Sequence, residues 1–110
     1  MELSGRWEKN ARVLTLSGEF QKTEWVLLEA AILSAQIAGR SRIILNIEQV
    51  SFPDRTVWAK LLFLCLQYHR KGIRLTFVTP QQWIRQRFER TTVARLADYY
   101  SSEQEALLAA

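Results

Sequence analysis

The feature that most constrains the fold is an apolar run, Ile43, Ile44, Leu45 and Ile47, that leads through a short polar stretch into a long apolar segment closed by Gly72. Such a run reads as a buried strand, and the segment after it as a helix with its stop signal in place. The intervening loop, expected over residues 48–53, is followed by Asp54, Arg55 and Thr56. Pro53 disfavours helix for its predecessor, and Asp54 can accept hydrogen bonds from the first free N–H groups of the helix. A loop at the carboxyl end of a buried strand, feeding a helix start, is where α/β proteins place binding sites and where a phosphate is electrostatically welcome.

The other elements fall into an alternating order. Residues 12–17 alternate with period two as a half-buried strand, and residues 3–8 form a weaker strand before a polar turn at Lys9-Asn10, an opening hairpin. Thr23 can cap a helix running to about Ile37, with Gly39 as its left-handed terminator. That helix is apolar on most of its circumference, including Trp25, Leu28, Ile32, Leu33 and Ile37. The helix from about Asp54 ends in His69-Arg70-Lys71-Gly72, cations in the last turn followed by a glycine. A strand over residues 73–78 follows, and then Thr79-Pro80-Gln81-Gln82 opens a helix to about Arg90. Residues 96–100 suggest a short last strand, and Ser102 caps a terminal helix through Leu108. Strands alternating with helices imply a largely parallel sheet with right-handed crossovers.

A chain of 110 residues makes a single domain over residues 1–110, with 48% apolar and 24% charged residues, the composition of an ordinary globular protein. The longest apolar stretch, residues 61–66, is too short to span a bilayer, and Met1-Glu2-Leu3-Ser4 opens no secretory leader, so a soluble cytoplasmic chain without membrane insertion is expected. Cys65 is the only cysteine and His69 the only histidine, which leaves no intrachain disulfide and no metal-ligand cluster. No cofactor is expected. The formal charge of +4 weakly favours acidic partners, anionic lipid heads or nucleic acid. No helix-turn-helix or aromatic RNA-binding strand supports a nucleic-acid role.

With these elements in order, the chain resembles the STAS domain, named for sulfate transporters and anti-sigma-factor antagonists. The residues that carry the resemblance are Leu14-Thr15-Leu16-Ser17-Gly18-Glu19-Phe20, Arg42-Ile43-Ile44-Leu45-Asn46-Ile47, Val50-Ser51-Phe52-Pro53-Asp54-Arg55-Thr56, and Lys71-Gly72-Ile73-Arg74-Leu75-Thr76-Phe77-Val78. The resemblance implies an α/β fold, a mostly parallel mixed sheet of 4–5 strands with about 4 helices. It also implies a non-enzymatic protein-interaction module whose antagonist members bind an anti-sigma kinase that phosphorylates a serine at the start of the second helix. This sequence departs there. Asp54 keeps the family's aspartate, but Arg55 stands where the phosphorylated serine would be, Thr56 where a second serine stands and Val57 where a glycine stands. Asn46 replaces an aspartate common at the end of the strand. Partner switching without serine phosphorylation is therefore the expectation, with Thr56 as the remaining candidate phosphate acceptor. A cytoplasmic STAS subunit docked on the ATPase of an ABC-type lipid transporter is the alternative, and a self-associating homodimer a third reading.

Two surfaces are candidates for the contact. On the helix after Asp54, residues Trp58, Leu61, Leu62, Cys65 and Tyr68 share the apolar face expected to be core, whereas Phe63 falls on the side of Thr56, seven residues away and nearly eclipsed. An apolar side chain on that polar side either anchors an interface beside the helix start or packs beneath a neighbouring helix. Asp54, Arg55, Thr56 and Phe63 are thus the expected partner-binding residues. On the helix over residues 80–90, Trp83, Arg87 and Arg90 repeat at spacings of four and three, an aromatic and arginine set that suits a protein interface or nucleic acid, with core packing of Trp83 under the arginines the favoured reading. Catalysis is not expected: no phosphate-cradling loop or serine elbow is present, and Asp54 has no matching nucleophile.

Overall fold

The computed structural model describes residues 2–9, 11–19, 24–51, 55–79, 86, 90 and 98–109, with the side chains of residues 24, 55–58 and 62 outside that description. The elements run β1 (Glu2–Trp7), β2 (Arg12–Glu19), α1 (Glu24–Ile37), β3 (Arg42–Ser51), α2 (Arg55–Arg70), β4 (Arg74–Val78), β5 (Asp98–Tyr100) and α3 (Glu103–Leu108). They build one mixed sheet in the order β1-β2-β3-β4-β5, with only β1 antiparallel to its neighbour. Three helices lie among the described residues, against the expectation of about four. The helix expected over residues 80–90 falls outside them, apart from the exposed Gln86 and Arg90.

Period-two alternation sorts the strands onto two faces. Leu14 and Leu16 of β2, Ile43, Leu45 and Ile47 of β3, and Leu75 and Phe77 of β4 meet Trp25, Leu28, Ile32 and Ala35 of α1 and Leu61, Leu64, Cys65 and Tyr68 of α2. Ala11, Val13, Ile44 and Val78 face the other way, onto Ala106 of α3. The central strand is covered on both sides, which explains why it reads as a nearly unbroken apolar run. Among the residues expected at the core of α2, Leu61, Cys65 and Tyr68 are buried. The side chains of Trp58 and Leu62 lie outside the described residues.

Both long helices stop by the same device. Gly39 and Gly72 take φ of +82° and +80°, and the next amides, Arg40 N and Ile73 N, donate back to Ala35 O and Tyr68 O at 3.0 and 2.9 Å. This satisfies carbonyls the helix end would leave unpaired, in a conformation glycine adopts without steric cost. Ser102 caps α3, its hydroxyl accepting from Glu105 N at 3.2 Å.

One expectation is corrected. Residues 48–51 are not loop: β3 continues to Ser51, paired with Glu19 of β2. The pairing steps from Thr15↔Asn46 to Ser17↔Gln49, so β3 carries an extra residue there. This bulge brings Val50 back to the buried face after Ile47, whereas the polar sequence of Glu48 and Gln49 had suggested an end to the strand.

Candidate functional site

Because α1 and α2 run antiparallel to the strands they follow, the parallel sheet has two unlike ends. At the carboxyl end, β2 and β3 finish side by side in exposed Glu19 and Ser51, and α2 begins at Arg55 shortly after. Free N–H groups of a helix of 16 residues therefore open beside two strand termini, the standard setting for a binding site in a parallel sheet. The first turn of α2 holds no acidic residue, while its last turn holds His69 and Arg70, which complement the macrodipole.

The predicted site residues distribute over this end as follows. Arg55 and Thr56 are the first two residues of α2, and Asp54 lies outside the described residues. Phe63 lies about 10 Å farther along the helix axis from Thr56, two turns on and nearly in line with it. It is 57% exposed, so the packed alternative under a neighbouring helix is not what the fold does with it. Leu61, Leu64, Cys65 and Tyr68 take the buried side of the same helix. Burial pushes the Cys65 thiol up to about 12, an inert neutral group and no nucleophile. Of the second candidate surface, Trp83 and Arg87 lie outside the described residues and Arg90 is exposed.

A polar cluster that sequence reading did not assemble holds the strand leading into this end. Asn46 Nδ2 donates to Glu103 Oε2 at 2.5 Å, and Glu103 Oε1 pairs with Arg6 Nη1 at 2.6 Å. Asn46 Oδ1 in turn accepts from Glu48 N at 3.1 Å, within the bulge. Burial pushes the Glu103 carboxyl up, but the hydrogen bonds from Asn46 and Arg6, with the charge of Arg6, outweigh it and hold the group below the usual carboxylate range. An aspartate at position 46 would face Glu103 with a second carboxylate. The asparagine thus fits the packing of α3, and its signal in the sequence is the lone polar residue in Ile-Ile-Leu-Asn-Ile.

Among the described residues, no group of His, Cys, Asp or Glu side chains could hold a metal ion, and no helix is long and apolar enough to cross a membrane.

Comparison with known proteins places the fold. The STAS domain family model matches residues 6–106. No curated protein matches the sequence. Among solved structures, the chain is similar to the Bacillus cell fate determinant SpoIIAA in the phosphorylated form, at 21% identity over 98% of each chain with a TM-score of 0.71. The anti-sigma factor antagonist SpoIIAA in its unphosphorylated form gives the same TM-score at 20% identity, over 98% of this chain and 96% of that one. An anti-sigma factor antagonist from Mycobacterium paratuberculosis gives a TM-score of 0.75 at 18% identity, over 98% of this chain and 92% of that one. At these identities the likeness speaks to fold.

Proposed function

Since the chain belongs to the STAS domain family, we propose that it is a non-enzymatic protein-interaction module that binds a regulatory partner at the carboxyl end of its sheet. The contact residues are Asp54, Arg55, Thr56 and Phe63, and the partner is a kinase-like regulator of the anti-sigma type, in a cytoplasmic partner-switching system. Structural relatives named as anti-sigma factor antagonists support this class of role.

The observation that carries the reading is the 57% exposure of Phe63 on the side of α2 opposite its buried face. Burying the exposed part of that ring against a partner would contribute about 1 to 2 kcal/mol, enough to help anchor a contact. Arg55, a cation at a helix start, opposes the macrodipole at a cost of about 0.3 to 1 kcal/mol, which an acidic group on a partner would offset. With Arg55 where the family's phosphorylated serine stands, the interaction runs without serine phosphorylation. Thr56 is the one residue of this turn that could still take a phosphate, beside the helix N–H groups.

The test is affinity capture of the tagged chain from lysate of its own host, with Arg55→Glu in parallel, read by mass spectrometry. A kinase-like regulator retained by wild type and lost by the variant is the expected result. Equal recovery by both removes Arg55 from the contact, and recovery of transporter ATPase subunits replaces this reading with the transporter alternative.

A further inference from the structure

The amino end of the sheet, opposite the proposed partner site, gathers cations. β2 begins there with Arg12, α1 hands over to β3 through Arg40, α2 ends in Arg70 and Lys71, and Lys9 lies in the β1–β2 turn. The loops at this end meet directly: Arg74 N donates to Ser41 O at 2.7 Å. Of the described carboxylates near them, Glu8 pairs with Arg6 at 2.8 Å and Asp98 with Arg74 at 2.5 Å, while Glu29 of α1 lies near Tyr68, whose ring Lys71 covers, without an ion pair to these cations. Lys9, Arg12, Arg40, Arg70 and Lys71 pair with no carboxylate among the described residues. Dipole complementation does not account for them, since two helix C-termini together present only about one negative charge.

Apolar side chains stand exposed at the same end. Trp7 is 48% exposed, with the Arg12 guanidinium 4.1 Å and the Arg40 guanidinium 5.6 Å from its ring centroid. Ile37, in the last turn of α1 and three residues before Arg40, is 79% exposed, and Leu33 one turn earlier is 53% exposed. Leu33 and Ile37 sit on the side of α1 away from Leu28, Ile32 and Ala35, which pack on the sheet.

From this combination we infer that the amino end of the sheet is a peripheral docking surface for a bilayer carrying anionic phospholipid headgroups. These cations, without a carboxylate partner among the described residues, provide the attraction to phosphate, and Trp7 and Ile37 provide side chains suited to the headgroup and acyl boundary, where indole rings concentrate. A nucleic-acid backbone would satisfy the cations but leave Ile37 and Leu33 without use. The surface lies away from the α2 start, so this inference stands apart from the partner-binding reading and adds to it: a membrane-held chain would leave the start of α2 and the exposed Phe63 facing away from the bilayer.

The test is co-sedimentation of the whole chain with phosphatidylcholine vesicles and with vesicles containing about one-third phosphatidylglycerol, with duplex DNA as a separate polyanion. The expected result is binding to the anionic vesicles only, abolished by raising salt from about 0.1 to 0.5 M. Loss of each cation should weaken partitioning about five-fold, so the Arg40→Glu/Lys71→Glu variant should bind at least about twenty-fold less. Trp7→Ser should weaken vesicle binding while circular dichroism and the thermal midpoint confirm a folded chain. No binding to anionic vesicles, equal binding to neutral ones, or binding to DNA alone would each overturn the inference.

Discussion

At the carboxyl end of the parallel strands the described acidic side chains include Glu2, Glu19 and Glu48, and a helix opens with Arg55. At the amino end Lys9, Arg12, Arg40, Arg70 and Lys71 surround the places where two helices close. The same crossover connections make both ends, yet they present different chemistry. A helix start offers free N–H groups whatever its side chains are, so the fold itself supplies the donors on which the proposed site at the carboxyl end rests. A helix end offers only carbonyls, which Gly39 and Gly72 turn inward, so the character of the amino end is set by side chains. Under the proposed function, a site of the first kind changes its partner by substitution, as at Arg55. A site of the second kind exists only in chains that carry the charges.

The sharpest way to break this comparison is to show that stability, rather than binding, depends on the ends. Leu28 and Ile32 are completely buried between α1 and the sheet, and Leu28→Ala should cost about 2 to 5 kcal/mol in chemical denaturation. Phe63→Ala should cost less than about 1 kcal/mol, because the ring gives up little buried area. A loss for Phe63→Ala on the scale of the core substitution would make it a packing residue and remove it from the interface.

Next in size is Asn46→Asp. A carboxylate facing Glu103 replaces the amide donor, and stability at neutral pH should fall by about 1 to 3 kcal/mol. Protonation of one carboxyl relieves the repulsion, so the gap to wild type should narrow below about pH 4. Wild type itself has the opposite slope. Hydrogen bonding to Arg74 holds Asp98 below its ordinary range, and the bonds of Glu103 outweigh its burial to the same effect. Folded values depressed in this way stabilise the chain above the unfolded carboxylate range and lose that contribution as pH falls below about 4. Thermal midpoints across pH 2 to 7, an interval of about five pH units, would check both slopes.

The smallest effect sharpens the amino end. A Cβ on Gly5 would lie 2.7 Å from Nη2 and 2.8 Å from Cζ of Arg12, the movable end of a long side chain, and 3.0 Å from Cδ2 of the buried Leu14, which must give by a few tenths of an ångström. Gly5→Ala should therefore displace the guanidinium from Trp7 with a stability change below about 1 kcal/mol, visible as altered indole emission. An unchanged emission spectrum would mean that Arg12 does not depend on the gap above Gly5.

Much of this architecture is legible in the sequence because its signals are local. Gly39, Gly72 and Ser102 mark helix ends within one turn of where they occur, and Ile43 to Leu45 mark the central strand. The side of Phe63 follows from helical spacing alone. The extension of β3 to Ser51 is not legible, because a bulge breaks the alternation on which strand reading rests. The tie between Asn46 and Glu103 joins residues 57 apart, and no local pattern announces it. The cationic end is hidden for a related reason: a net charge of +4 over the chain says nothing of how crossovers collect separate residues at one pole. The apolar circumference of α1 was visible, but only the fold shows that Leu33 and Ile37 are left outside while Leu28 and Ile32 are covered.

The most direct test of the account is a binding titration of the captured partner against two double variants of equal fold, Arg55→Glu/Phe63→Ala at the carboxyl end and Arg40→Glu/Lys71→Glu at the amino end. The account predicts that the first pair weakens partner affinity by at least about ten-fold, or 1.4 kcal/mol, while the second leaves it within about two-fold of wild type. Loss of partner binding with the second pair, or none with the first, would contradict the placement of the site at the start of α2.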